Sequence, residues 1–153
     1  MFQVILTSLM MLLHLAAQVG QDAKVVCGLD VSPLIPPGVA IVETYLPPYI
    51  GAAYDARLRV ILINQDVCLT ERPATIISFV MHERTHALDP VKTSTEDCYQ
   101  KEIAAYLVQV KTWRDLGPTL PRETPTERFL SDLADGSRDI EGWVRQAYQE
   151  QCK

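Results

Sequence analysis

The first half of the chain carries the residue pattern of β-strands. Val39–Tyr45 is rich in β-branched residues and lies between two proline pairs, which is typical of a strand bounded by turns. Arg57–Gln65 starts with alternating charge and becomes a continuous apolar run. It therefore predicts a second strand with one face partly open.

From about Pro73 onward, the apolar residues have the spacing of a helix. Asp89-Pro90 ends this first predicted helix at Leu88, because a residue before proline avoids the helical conformation. The apolar residues that are spaced to share one broad face of the helix are Ile76, Ile77, Val80, Met81 and Leu88.

Three further helices are predicted downstream. The second begins at Ser94, which forms a capping-box pattern with Asp97, and runs to Leu116 before a glycine-proline pair. A third begins at Thr124 with proline in its first position, and residues 138–150 form a last amphipathic helix. The apolar stripe of the second helix is Tyr99, Ile103, Tyr106, Val110 and Trp113. Strands followed by helices make an α+β arrangement.

The N-terminal segment has the composition of a secretory signal peptide. Residues 1–21 carry no charge and contain an apolar run at residues 4–13, with two alanines near a cleavage point. A membrane anchor formed by residues 2–19 is the alternative. In either case residues 22–153 are enough for one compact domain.

Charge and cysteine content narrow the class of protein. The net charge of −5, with no basic run or basic face, argues against a nucleic-acid binder. An even number of cysteines behind an export signal indicates two disulfides in a secreted or periplasmic protein. Three connectivities exist, and we favour Cys27–Cys68 with Cys98–Cys152. A cysteine zinc site is the rival interpretation, but no C-x-x-C spacing supports it.

Residues 82–86 read His-Glu-Arg-Thr-His, an H-E-x-x-H motif. Two histidines four residues apart leave the same face of a helix, so both can bind one metal ion. Glu83 can then reach a water molecule in the open coordination position of that ion. The third histidine, His14, falls in the predicted signal segment. A third protein ligand must therefore be a carboxylate.

Glu102 is the first candidate for that ligand. It lies in the second turn of the following helix at the border of the apolar stripe, where a carboxylate is costly unless it is paired or bound to a cation. Glu96 and Asp89 are the rivals. Glu96 suits the first turn of a helix, and Asp89 better suits a role in orienting a ligand histidine.

The segment Val80–Leu88, followed by Glu102–Ala105, resembles the gluzincin type of zincin metallopeptidase; the similarity covers residues 76–106. The resemblance implies that Zn²⁺ is bound by His82, His86 and Glu102, with Glu83 as general base. It also implies that the strand before the motif helix, Arg57–Gln65, borders the cleft and pairs with an extended substrate.

Several positions depart from the zincin pattern. Arg84 places a charge inside the motif, and Tyr106 occupies the position of an aspartate that orients a ligand in gluzincins. Lys92 stands where the related metzincins require a histidine. Tyr106 is kept as a candidate donor to the transition state, although it also suits a packing role. Tyr54, Tyr99 and Arg84 are further candidates.

The sequence therefore predicts a small secreted zinc-dependent hydrolase that cleaves peptide bonds in a peptide or protein substrate. The alternative is a non-catalytic, exported binding module that is stabilised by disulfides and has a vestigial metal site. Contact with a membrane is expected only if the N-terminal segment is not cleaved.

Overall fold

The described residues form two small sheets, and the larger one has a single central strand. The computed structural model describes residues 24–117 and 124–153, so the predicted signal segment lies outside the described residues. The described strands are β1 (Val25–Val26), β2 (Leu29–Asp30), β3 (Ala40–Thr44), β4 (Ala52–Asp55) and β5 (Val60–Asn64). β1 and β2 form an antiparallel pair. The larger sheet has the order β3-β5-β4, with β5 parallel to β3 and antiparallel to β4.

Strand β5 differs from its prediction in length and in position. The predicted strand Arg57–Gln65 includes a turn that ends at Arg59, where φ is 52°, and its last residue already belongs to a helix. Four of the five residues of β5 are buried, so neither face is open. The expected pairing of this strand with substrate is wrong, because β3 and β4 occupy both of its edges.

The helical half follows the sequence pattern closely. The described α-helices are α1 (Gln65–Thr70), α2 (Pro73–Leu88), α3 (Thr95–Asp115), α4 (Pro125–Ala134) and α5 (Ile140–Ala147). The Ser94 side chain accepts a hydrogen bond from the backbone N–H of Asp97, and Thr124 does the same for Glu127, as their capping patterns predict. Strands before helices confirm the α+β class. The chain also forms β1, β2, β4 and α1, which the sequence pattern did not predict.

Helix α2 is buried on two sides. Ile76 and Val80 pack into the apolar core against the sheet, whereas His82 and Glu83 are buried on a polar face. Helix α3 packs against α2 more extensively than any other element does. Leu88, which was predicted on the buried face, is 59% exposed because residues 88–96 all lie at the surface. The motif helix is therefore central to the fold.

Two disulfides fasten the ends of the described chain. Cys27–Cys68 joins the turn between β1 and β2 to α1, and Cys98–Cys152 joins the first turn of α3 to the C-terminus. This is the favoured pairing, and it is confirmed. Each bridge closes a loop of more than 40 residues, and such a bridge is worth about 2–4 kcal/mol.

Gly51 lies immediately before β4, where the backbone approaches Phe79 of α2. A Cβ at this position would lie 2.6 Å from the Phe79 ring. We expect Gly51→Ala to lower the free energy of unfolding by about 1–3 kcal/mol, because the ring or the strand must move. Urea unfolding followed by circular dichroism measures the change. Phe79→Leu in the same chain should recover part of the loss, and an additive double variant would contradict the contact.

Candidate metal centre

Two histidines of α2 meet at their Nε2 atoms. The Nε2 atoms of His82 and His86 are 3.2 Å apart, and the two rings are related edge to face. The four-residue spacing on a helix places both imidazoles on one face. His82 is 5% exposed and the side chain of His86 is 13% exposed, so both are largely buried, and both line a cleft.

Helix α3 brings the carboxylate of Glu102 to the same point. Its Oε2 atom lies 3.3 Å from His86 Nε2 and 3.7 Å from His82 Nε2, while Oε1 accepts a hydrogen bond from Lys92 Nζ at 3.2 Å. Glu102 is 4% exposed, on the same buried face as Ala105. The small side chain of Ala105 leaves room for the close packing of the two helices.

The three ligand atoms have the spacing of a metal site. Nitrogen and oxygen ligands at about 2.0–2.1 Å from a tetrahedral first-row ion lie about 3.3–3.4 Å from one another. The separations found here are 3.2, 3.3 and 3.7 Å. His82, His86 and Glu102 could therefore hold a metal ion with little rearrangement.

Gln109 fixes the orientation of His82 from the side away from Glu102. The Nδ1–H group of His82 donates to Gln109 Oε1 at 2.9 Å, which leaves the lone pair of Nε2 for a metal ion. Gln109 is 2% exposed and lies two turns beyond Glu102 on α3. Sequence reasoning missed Gln109. The signal that could have found it is that Gln109 follows Glu102 by seven residues, which is two turns of a helix.

Glu83 lies beside the ligand group and is 6% exposed. Burial raises the pKa of its carboxyl, while the nearby histidines oppose that shift. The backbone of Tyr54, in β4, also opposes that shift, more weakly than the histidines do. A carboxylate with a raised pKa, close to the expected ligands, is suited to accept a proton from water.

The ligand candidates are electrostatically linked. Burial by itself disfavours the charged form of His82, but the hydrogen bond to Glu102 and the charges of Glu83 and Glu102 raise its pKa. Burial likewise acts against the charged form of Glu102, yet the two histidines hold the pKa of this carboxyl well below its usual range. Glu102 is therefore ionised at neutral pH, as a metal ligand must be.

A cleft of about 870 Å³ lies over this group. One wall consists of β4 and the segment before it, and the other comes from α3, α4 and α5. Asn64 holds the first wall in place: its Nδ2 donates to the carbonyl oxygens of Leu46 and Ile50. Seven of the ten aromatic residues within residues 24–117 and 124–153 line the cleft. They are Tyr49, Tyr54, Phe79, Tyr106, Phe129, Trp143 and Tyr148.

Tyr106 forms a hydroxyl pair with Tyr148, a residue that sequence reasoning missed. The two oxygens are 3.0 Å apart. Burial raises the pKa of Tyr106 to about 12 and raises that of Tyr148 further, and the charges of Glu102 and Glu83 add to both shifts. Both hydroxyls therefore stay protonated near the carboxylates. The Tyr106 ring also packs on His82 with centroids 4.5 Å apart, so it has a packing role as well.

The other candidates from the sequence lie elsewhere or have other partners. Arg84 and Tyr99 are outside the lining of the cleft, and Tyr99 lies under the guanidinium of Arg145. Glu96 is exposed and accepts two hydrogen bonds from Arg145, whereas Asp89 pairs with Lys101. Neither carboxylate belongs to the group that could hold a metal ion.

A second cluster of ligand-type residues is not suited to a metal. Cys27, Cys68 and Glu43 lie close together, but the two sulfur atoms are joined in a disulfide. A disulfide sulfur lacks the thiolate charge that binds metal ions. Glu43 instead accepts a hydrogen bond from the backbone N–H of Cys27.

Comparison with known proteins gives no relative for this chain: no family model matches it, and neither a curated protein nor a solved structure is significantly similar. The chemistry of the site must therefore be inferred from its own residues.

The disulfides also bear on where the protein functions. Two bridges with no free cysteine suggest an oxidising compartment. Within residues 24–117 and 124–153, every helix is too short or too polar to cross a membrane.

The hydrogen bond from His82 to Gln109 gives a direct test of the metal centre. We expect Gln109→Leu to weaken metal binding about 10- to 100-fold, because His82 loses the acceptor that fixes its tautomer. Competition with a chromogenic chelator measures the affinity. Gln100→Leu is the matched control, since Gln100 is exposed on the same helix and pairs with Glu96. Equal losses in the two variants would show that Gln109 has no specific role.

Proposed function

We propose that the protein is a zinc-dependent hydrolase that cleaves peptide bonds, a small zincin-like enzyme of the gluzincin type. The observation that carries the proposal is the buried group His82, His86 and Glu102, with Glu83 beside it, at the bottom of an open cleft. A structural zinc site has four protein ligands, whereas three ligands facing a cleft leave a position for water.

The donor set supports zinc as the metal. Two neutral imidazoles and one carboxylate form a ligand set of known catalytic zinc sites. Magnesium and calcium prefer sites made of oxygen ligands alone, and a copper site of the blue type would need a cysteine ligand. Within the described residues all four cysteines are in disulfides.

The residues around the site would each have a separate role in hydrolysis. Zn²⁺ held there would supply a Lewis acid that polarises the scissile carbonyl and lowers the pKa of water from about 15.7 toward about 7. Glu83 accepts a proton from the attacking water and delivers it to the amine nitrogen as the peptide bond breaks. Burial raises the pKa of its carboxyl, which makes the carboxylate a stronger base for the first of these steps. Gln109 holds His82 in the tautomer needed throughout.

We place the substrate along β4 rather than along β5. Strand β4 pairs with β5 on one side, and among the described strands none pairs with its other side. The cleft is lined by Ala52, Ala53 and Tyr54 of this strand, and the backbone of Tyr54 is near enough to Glu83 to lower the pKa of its carboxyl slightly. An extended peptide that adds to this edge would bring its backbone past the candidate base.

Export to an oxidising compartment is part of the proposal. The disulfides support it, and residues 1–21 have the composition of a signal peptide that is removed on secretion. Mass spectrometry of the N-terminus of the exported protein tests this directly.

Glu83→Gln separates metal binding from catalysis. We expect the purified wild type to bind about one Zn²⁺ per chain and to cleave members of a broad peptide library. Glu83→Gln should keep the zinc and lose the cleavage, because the amide cannot accept the proton. Metal analysis and mass spectrometry of the peptides give the two readouts.

The controls distinguish the alternatives. His82→Ala should lose both zinc and cleavage, whereas Asp115→Ala should keep both, since Asp115 is exposed at the end of α3 and lies outside the cleft lining. A folded wild type that binds no zinc rules out the proposal. A wild type that binds zinc and peptides without cleaving any of them identifies the non-catalytic binding module instead.

The hydroxyl pair of Tyr106 and Tyr148 is the candidate donor to the transition state. Only one of the two hydrogens lies between the oxygens, so the other remains available to an oxyanion. Replacing both residues with Phe should lower kcat about 100-fold with little change in KM. Each single replacement should cost less, because the surviving hydroxyl still carries a hydrogen.

Steady-state kinetics of the double variant and of the two single variants give kcat and KM. Tyr99→Phe is the control because Tyr99 lies outside the cleft lining. If the double variant keeps the kcat of the wild type, the hydroxyl pair serves packing alone.

A further inference from the structure

The carboxylate of Glu102 has a different partner on each oxygen. Oε2 lies 3.3 Å from His86 Nε2 and 3.7 Å from His82 Nε2, whereas Oε1 accepts a hydrogen bond from Lys92 Nζ at 3.2 Å. The Lys92 side chain is 42% exposed and lines the cleft, while that of Glu102 is 6% exposed. A cation from outside the two helices is therefore in direct contact with a candidate metal ligand.

The segment that carries Lys92 is fastened on both sides of this residue. Lys101 Nζ donates to the carbonyl oxygen of Val91, and the backbone N–H of Thr93 donates to Asp97 Oδ2 at 2.8 Å. Both anchors belong to the first two turns of α3, the helix that also carries Glu102. Because the residues before and after Lys92 are fixed to that helix, its backbone is fixed relative to Glu102.

We propose that Lys92 is a positioning residue that restricts Glu102 to binding the metal through one oxygen. This rests on the metal-dependent function proposed above. A carboxylate with two free oxygens can bind an ion through one or both of them. The ammonium group on Oε1 leaves Oε2 facing the histidines, so a coordination position stays open for water and substrate.

The same contact changes the strength of metal binding. An ammonium group beside the ligand carboxylate repels a divalent cation and draws electron density from the carboxylate. Even with screening by water, repulsion between a single and a double positive charge at such short range weakens binding about tenfold. The metal keeps more of its positive charge as a result, which favours the polarisation of a substrate carbonyl.

Co²⁺ titration of the purified protein tests the role of Lys92 without any substrate. The visible absorption of Co²⁺ weakens as its coordination number rises, so it reports the binding mode of Glu102. We expect Lys92→Met to bind Co²⁺ about tenfold more tightly than the wild type and with a weaker visible band. Lys92→Arg should resemble the wild type, because it keeps a cation on Oε1.

Lys111→Met is the matched control for the loss of one positive charge. Lys111 lies on the exposed face of α3 and pairs with Asp115, so its removal should leave both readouts unchanged. If Lys92→Met matches Lys111→Met in affinity and in spectrum, the role of Lys92 is overturned and the metal site stands. Weaker binding by Lys92→Met with an unchanged spectrum also overturns it, since that result shows a purely structural contact.

Two further outcomes complete the test. A folded wild type that binds neither Co²⁺ nor Zn²⁺ overturns the metal-dependent function, and the role of Lys92 with it. If Lys92→Met does not fold by circular dichroism, the Arg variant decides: a weaker visible band than in the wild type would contradict the proposal.

Discussion

The packing of α3 against α2 is the contact on which the rest of this structure depends. It buries His82, Glu83, Glu102 and Gln109, all of them at most 6% exposed. Burying charges costs several kcal/mol for each ion unless partners compensate. Here the partners are one another: Gln109 accepts from His82, and Glu102 contacts both histidines. The polar residues buried between α2 and α3 are thus also the residues of the candidate metal centre. A substitution among them therefore changes both the packing of the two helices and the site.

The C-terminal part of the chain completes the cleft through contacts with the start of α3. Cys152 is bonded to Cys98, and Arg145 donates two hydrogen bonds to Glu96. These tethers hold α5 and the residues after it against the helix that carries Glu102. Trp143 and Tyr148 then form part of the cleft wall. The aromatic wall of the cleft therefore depends on contacts between residues that are far apart in the sequence. Such contacts shape the cleft in a domain that has only a small sheet.

Local signals account for the parts of the fold that could be predicted. Ser94 and Thr124 mark helix starts because a side-chain oxygen can bond to an N–H group three residues away, whatever the rest of the chain does. Strand β4 escaped prediction because Ala-Ala-Tyr-Asp contains a single aromatic and no β-branched residue. Its strand conformation comes from pairing with β5. Leu88 has the spacing of a buried residue, but the surface begins at this turn of the helix.

The sequence by itself determined that His82 and His86 share one face with Glu83 nearby, because helical geometry relates residues four positions apart. It also favoured the correct disulfides and ranked Glu102 above Glu96 and Asp89. Only the tertiary structure decided that Gln109 meets His82, that Lys92 meets Glu102 and that β4 borders the cleft. Those contacts join different elements. Their geometry depends on how the helices and the sheet pack, which no local pattern in a single sequence specifies.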